Sequence, residues 1–290
     1  MSLRTREAVI VCAAVLCVCG RPAPAAAQGN GHGNAFGHYK GPSASRSTAP
    51  DGSSDSSASV EVDVRNFGSW LDDASVMPKG TGFVSIGFGL WNMPGYREFD
   101  LPVLDSGFAV NRRVQVGMSV PYYHASQPGA PVARGFGDAY FSSKIQIRDA
   151  ASHPIGFAVI PMLQMLSTAP AFGTSRVSWA LPASVEVQRR GVRIYGSAGY
   201  FSRGSVFASG ALETAVSKRA WVTGSLSRSY STHASAPGTV STFPRTRTDI
   251  TGSASINVSD DVAFFGSVGR TYADTNPVMV AGGITLKFSR

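Results

Sequence analysis

Val114-Gln-Val-Gly-Met-Ser-Val-Pro-Tyr-Tyr123 and Asp138-Ala-Tyr-Phe-Ser-Ser-Lys-Ile-Gln-Ile147 decide the fold of this chain. In the first run, Val114, Val116, Met118, Val120 and Tyr122 share one face, and Gln115, Gly117, Ser119 and Pro121 share the other. In the second, Ala139, Phe141, Ser143, Ile145 and Ile147 oppose Asp138, Tyr140, Ser142, Lys144 and Gln146. Strict period-2 alternation marks a β-strand with one apolar face and one small or polar face. A soluble sandwich would alternate in the same way. The repetition of the pattern along the chain separates the two cases.

From Thr81 onward about twelve such runs follow one another, with no long helical pattern between them. They are expected near 82–91, 101–110, 114–123, 137–147, 154–166, 176–187, 192–201, 205–216, 220–230, 247–258, 262–272 and 277–288. A globular strand is typically about 5–6 residues long, whereas a tilted strand crossing a bilayer needs roughly 9–11. The runs match the second length. Their small face is Gly, Ser, Ala and Thr with isolated charges, and their other face is Val, Ile, Leu, Phe and Met. Charged residues are only 15% of the chain and gather at strand ends, too few for the outer surface of a soluble barrel. The apolar face is therefore assigned to lipid and the small face to an interior. Closure follows, because an open sheet edge in hydrocarbon leaves backbone groups unpaired. The expected fold is all-β: a single transmembrane antiparallel up-and-down β-barrel of about 12 strands.

The organisation predicted from the sequence has four parts. Residues 1–27 read as a signal peptide, with Arg4 and Arg6, an apolar stretch from Ala8 to Gly20, and Ala25-Ala26-Ala27 before the cut. All three cysteines, Cys12, Cys17 and Cys19, lie within it, so the mature chain is expected to carry no thiol. Residues 28–58, rich in Gly, Ser, Ala and Pro, read as a flexible segment with too little apolar surface to offset its ordering entropy. Residues 59–80 read as a pre-barrel segment, a short helix or a plug, and 81–290 as the barrel. The expected location is the outer membrane.

Links near 111–113, 148–153, 188–191, 217–219 and 259–261 are short, while those near 92–100, 124–136, 167–175 and 231–246 are long; 202–204 and 273–276 break the contrast on the long side. That asymmetry suits a barrel with both termini in the periplasm. Trp91, Tyr122, Tyr123, Tyr200, Phe201, Tyr230, Tyr272, Phe99, Phe136 and Phe207 fall at one rim, as a girdle at headgroup level would. Arg97, Arg134, Arg176, Arg203, Arg245 and Arg247 are expected in the loops at that rim, where membrane lipid and anionic lipopolysaccharide are the expected partners. The net charge is +8, but its basic residues are scattered at strand ends, which disfavours nucleic acid. At the 188–191 turn, Val187 is expected opposite Val192 and Glu186 opposite Arg193. At the 259–261 turn, Val258 is expected opposite Val262 and Ile256 opposite Phe264.

The Leu101–Tyr123 hairpin, Gly135-Phe136-Gly137-Asp138 with Lys144, and Asp72-Asp73-Ala74 ahead of the first strand resemble an outer-membrane family associated with the meta-pathway of phenol degradation. The ending Leu286-Lys287-Phe288 is similar to the terminal-aromatic signal of outer-membrane barrels, although Ser289 and Arg290 follow the Phe. The resemblance implies transport of small compounds, aromatic or apolar among them, and transfers no defined binding residues.

Parity alone names candidate lumen groups: Tyr140, Lys144, Gln164, Glu186, Arg193, Tyr195, Glu213, Asp249 and Asn257. They either line a solute path or pair with one another to stabilise the interior. Three function classes stay open: a channel or transporter, a structural or adhesive barrel, and an outer-membrane hydrolase. The last is disfavoured because His124, His153 and His233 fall at strand ends or in loops without a same-face serine and an orienting acid. No spacing suggests a metal or a cofactor.

Overall fold

The computed structural model describes residues 71–93, 96–126, 128, 132–165, 177–189, 191–202, 204–231, 246–272 and 277–289. The signal-peptide and flexible-segment readings, and the first part of the pre-barrel segment, lie outside them. The strands, in chain order, are β1 (Thr81–Met93), β2 (Tyr96–Ala109), β3 (Val114–Ser126), β4 (Ala133–Phe136), β5 (Ala139–Arg148), β6 (Gly156–Val159) and β7 (Met162–Met165). They continue with β8 (Val177–Arg189), β9 (Val192–Phe201), β10 (Ser205–Ala215), β11 (Ala220–Ser231), β12 (Thr246–Asn257), β13 (Val262–Tyr272) and β14 (Val278–Ser289). Among the described residues there is no helix.

Fourteen strands make twelve staves. β4 and β5 are one stave interrupted at Gly137-Asp138, and β6 and β7 are one stave interrupted at Ile160-Pro161. Pro161 has no N–H to donate, but the ladder continues around it. Ile160 N–H donates to Pro182 O at 2.8 Å, and Ser143 N–H donates to Pro161 O at 3.0 Å. At the other interruption Gly137 N–H reaches Pro121 O at 2.9 Å. All pairings are antiparallel, and β1 pairs with β14 from Thr81↔Ser289 to Asn92↔Val278, which closes the cylinder.

The exposed large residues identify the solvent. Ile86, Leu104, Val116, Leu163, Leu181, Leu212, Leu226, Ile250, Val268 and Ile284 all point outward and are substantially exposed, forming a continuous apolar belt around the barrel. A soluble monomer rarely exposes more than a few hundred Å² of contiguous apolar surface. An outward apolar band over a polar interior is the pattern of a membrane barrel.

Several expectations are corrected. The 92–100 and 124–136 links are largely strand: only residues 94–95 separate β1 from β2, with Asn92↔Arg97 and Leu90↔Phe99 paired. β3 runs on to Ser126, which puts His124 and Ser126 on one face of it, against the expectation that His124 has no same-face serine. Likewise Arg97, Arg134 and Arg247 stand within strands. The β8–β9 register differs by two residues. Arg189 pairs with Val192, Val187 with Ile194 and Glu186 with Tyr195, because a two-residue turn ending at Gly191 replaces the expected four-residue link. Gly191 has φ of 79°, which a side chain would disfavour. At the other turn Val258 N–H donates to Val262 O and Ile256 pairs with Phe264, as read. The girdle also divides. Tyr122, Phe136, Tyr200, Tyr230 and Tyr272 belong to the outward set, with Tyr122 edge-on to Phe136 at 5.4 Å. Phe201 and Phe207 turn inward and are buried.

Candidate lumen site

The inner wall from β9 to β14 is built largely of short hydroxyl residues. Ser197, Ser209, Thr223, Ser225, Ser227, Thr251, Ser253, Ser255, Ser267, Thr271 and Thr285 all face inward. Such side chains project little, so the wall leaves room. The lower part of that room holds residues 71–77, an extended stretch that enters no ladder. Leu71, Asp72, Asp73, Ala74 and Met77 are all buried. Leu71 packs on Tyr195 and Ala211. Met77 packs with Phe83, Ala109 and Ala263 at the short-turn end. The segment is anchored by side chains of the wall: Asp72 N–H donates to Ser197 Oγ at 3.0 Å, Met77 N–H to Gln115 Oε1 at 3.2 Å, and Gln146 Nε2 to Ala74 O at 3.2 Å.

At its centre is a charge cluster. Lys144 on β5 lies 2.7 Å from Asp72 Oδ1 and 2.5 Å from Asp73 Oδ1. Arg193 on β9 spreads its guanidinium over three carboxylates: Asp73 at 2.5 Å, Glu186 on β8 at 2.8 Å, and Glu213 on β10 at 3.2 Å. Its planar fork suits this multiple pairing. It also stacks on the Tyr195 ring at 5.1 Å. Glu186 Oε2 accepts from Ser75 Oγ at 2.7 Å and from Ala74 N–H at 3.3 Å, so it holds both the wall and the segment. Within this cluster, four carboxylates surround two cations, all of them buried. Removing one partner of such a buried set costs about 3–5 kcal/mol.

The nine parity candidates are all buried, and they fall into four groups. Lys144, Glu186, Arg193, Tyr195 and Glu213 converge on the plug. Tyr140 and Gln164 form a second group with Asp138 and Ser178: Gln164 Nε2 donates to Asp138 Oδ2 at 2.9 Å and to Tyr140 Oη at 3.0 Å, and Ser178 Oγ donates to Gln164 Oε1 at 2.8 Å. Asp249 stands apart, accepting from Arg247 Nε at 2.8 Å, Ser227 Oγ at 3.3 Å and Thr271 Oγ1. Asn257 is near the short-turn end, where its Oδ1 accepts from Lys287 Nζ at 2.9 Å. Sequence reasoning missed Asp72 and Asp73 as partners of the wall. It also omitted Gln115, Asp138, Gln146 and Lys287, whose parity was available.

Two apolar clusters also face inward. Tyr140, Ile160, Met162, Ala180, Phe201 and Phe207 form one, with Phe201 and Phe207 ring centroids 5.7 Å apart. Val103, Phe265, Met279 and Ala281, with Trp91 against them, form the other. By strand order they occupy opposite arcs of the barrel. In the exposed turn after β5, Ser152 Oγ lies 2.9 Å from His153 Nδ1, and that nitrogen also lies 3.2 Å from Asp149 O. This contact closes a turn; among the described residues no carboxylate is hydrogen-bonded to the ring.

No protein-family profile matches the chain, and no curated protein matches it in sequence. Solved structures do resemble it. One is an outer membrane channel from Pseudomonas putida F1, 15% identical, with 74% of this chain and 98% of that one covered and a TM-score of 0.54. Another is the NanC porin, 6% identical, with 71% of this chain and all of that one covered (100%) and a TM-score of 0.53. The fold is that of an outer-membrane β-barrel. At these identities the likeness extends to the fold alone.

Proposed function

We propose that this protein is an outer-membrane channel for small apolar or aromatic compounds, exported through residues 1–27 as a cleaved signal peptide and held shut by its own segment 71–77. One observation carries the reading. The wall from β9 to β14 is lined with serine and threonine, and the lower part of the space it leaves holds a separate stretch bound through side chains instead of a ladder. A barrel that served only as a structural element would fill its interior with large side chains from the strands themselves. The inward apolar clusters favour uncharged or partly apolar solutes. The resemblance to the phenol meta-pathway family and the fold shared with a Pseudomonas channel and a porin support the same reading.

The test compares the full chain with Asp72→Asn/Asp73→Asn in planar bilayers. Removing both carboxylates takes away the plug's ion pairs with Lys144 and Arg193 and leaves the wall's own charges in place. The variant should open more often, or to a larger conductance, than the unaltered chain. If both stay silent while migrating as folded barrels in gels, the protein is a sealed structural barrel.

A further inference from the structure

The cations that hold the plug come from the wall, Lys144 from β5 and Arg193 from β9, so they remain when the plug leaves. Asp73 is gripped at both oxygens, Oδ1 by Lys144 and Oδ2 by Arg193, each at 2.5 Å. That is the geometry of a carboxylate receptor, with the chain's own side chain as its ligand. We infer that Lys144 and Arg193 form a binding site for an organic monocarboxylate with an apolar body, whose headgroup replaces Asp73 when segment 71–77 moves aside. This rests on the channel reading and names its substrate class.

Charge supports a single carboxylate. The wall residues Lys144, Arg193, Glu186 and Glu213 balance to zero within the cluster, and Asp72 with Asp73 bring two further negative charges. Arg193 directs Nε to Glu186 and Nη1 to Glu213, while its Nη2 and the Lys144 ammonium meet the exchangeable carboxylate of Asp73. One carboxylate fills that gap. A monocarboxylate in place of the aspartate pair also lowers the excess negative charge.

The surroundings supply the apolar part. Leu71 packs on Tyr195 and Ala211, and it belongs to the segment that would leave. Its departure exposes a ring already stacked by Arg193. Tyr140 stands four residues along β5 from Lys144 on the same face, about 13 Å away along the strand, within the apolar cluster that includes Phe201 and Phe207. An arriving aromatic acid would meet rings first and the cation pair next. The tethered plug competes at high effective concentration, in the millimolar range for a short connection. A free acid should therefore bind weakly to the unaltered chain and more tightly once the plug's carboxylates are gone.

The probe is benzoate, with benzamide as its uncharged counterpart. Calorimetric titration in detergent micelles would compare the full chain, Asp72→Asn/Asp73→Asn, and that variant carrying Lys144→Gln. The double variant should bind benzoate at one site, roughly tenfold or more tighter than the unaltered chain, because the competing state is removed. Benzamide should give no saturable heat, and adding Lys144→Gln should abolish benzoate binding. Gel mobility before and after boiling checks that each protein is a folded barrel. Should Lys144→Gln misfold, the benzoate-against-benzamide contrast on the double variant decides alone. No benzoate binding by the folded double variant, or equal binding of benzamide, overturns the inference. Benzoate binding by a barrel that conducts nothing supports the site and overturns transport, so the two readings fail separately.

Discussion

Gly283 shows how a single position can govern closure. It lies opposite Gly87 across the β1–β14 seam. A Cβ placed there would come within 2.5 Å of Ile86 O and 2.7 Å of Gly87 Cα, both backbone atoms, and within 2.6 Å of the Phe265 ring. A ring can turn aside, but a paired strand cannot without opening the ladder. Gly252 on β12 is the control, since a Cβ there meets nothing within 4 Å. Gly283→Ala should cost about 1–3 kcal/mol, the usual range for overpacking, while Gly252→Ala should be near neutral. Urea unfolding of the two variants in micelles, followed by tryptophan fluorescence, measures the difference. Equal midpoints would mean that the seam yields. Neither glycine is special in sequence, because both sit in small-residue runs, and the distinction appears only when the first strand meets the last.

Strands were the most legible elements, for a reason that also bounds what can be read. Period-2 alternation reports the face of a residue, and a register slip by two residues leaves every face unchanged. The parity reading thus placed Glu186 and Arg193 on one face although the β8–β9 register was misjudged. They are diagonal neighbours, joined at 2.8 Å, while Arg193 has Gln188 and Glu213 directly opposite. The plug was less legible, because residues 71–77 have no period and their wall hydrogen-bond partners lie 38 to 125 positions away. The outward face makes its own prediction. Val268 stands mid-strand on β13 and is 56% exposed in the absence of lipid. Val268→Arg should destabilise folding into vesicles by about 2–4 kcal/mol, the cost of arginine near the bilayer centre. Ser267→Thr, on the inward face one residue away, is the comparison and should change little. If the arginine variant folds as readily in vesicles as the parent, the belt does not face hydrocarbon.

At the scale of the whole molecule, an even number of staves brings both ends of the barrel to one side. Thr81 pairs with Ser289, so the chain enters and leaves the wall at neighbouring points. The turns between β2 and β3, β8 and β9, β10 and β11, and β12 and β13 lie at that end. Strands β1, β3 and β11 end at the other. On the proposed export through residues 1–27, which delivers the N-terminal side to the periplasm, the first end should be periplasmic and the second should face outward. Pro128, exposed between β3 and β4, and Asp260, exposed between β12 and β13, report the two ends. Each is replaced by cysteine in a chain whose Cys12, Cys17 and Cys19 have been changed to alanine. A membrane-impermeant maleimide should label Pro128→Cys on intact cells, and Asp260→Cys only after the outer membrane is opened. Labelling of Asp260→Cys alone on intact cells would show an inverted barrel. Labelling of both on intact cells would show that the chain does not separate two compartments, and the channel reading would fall with it.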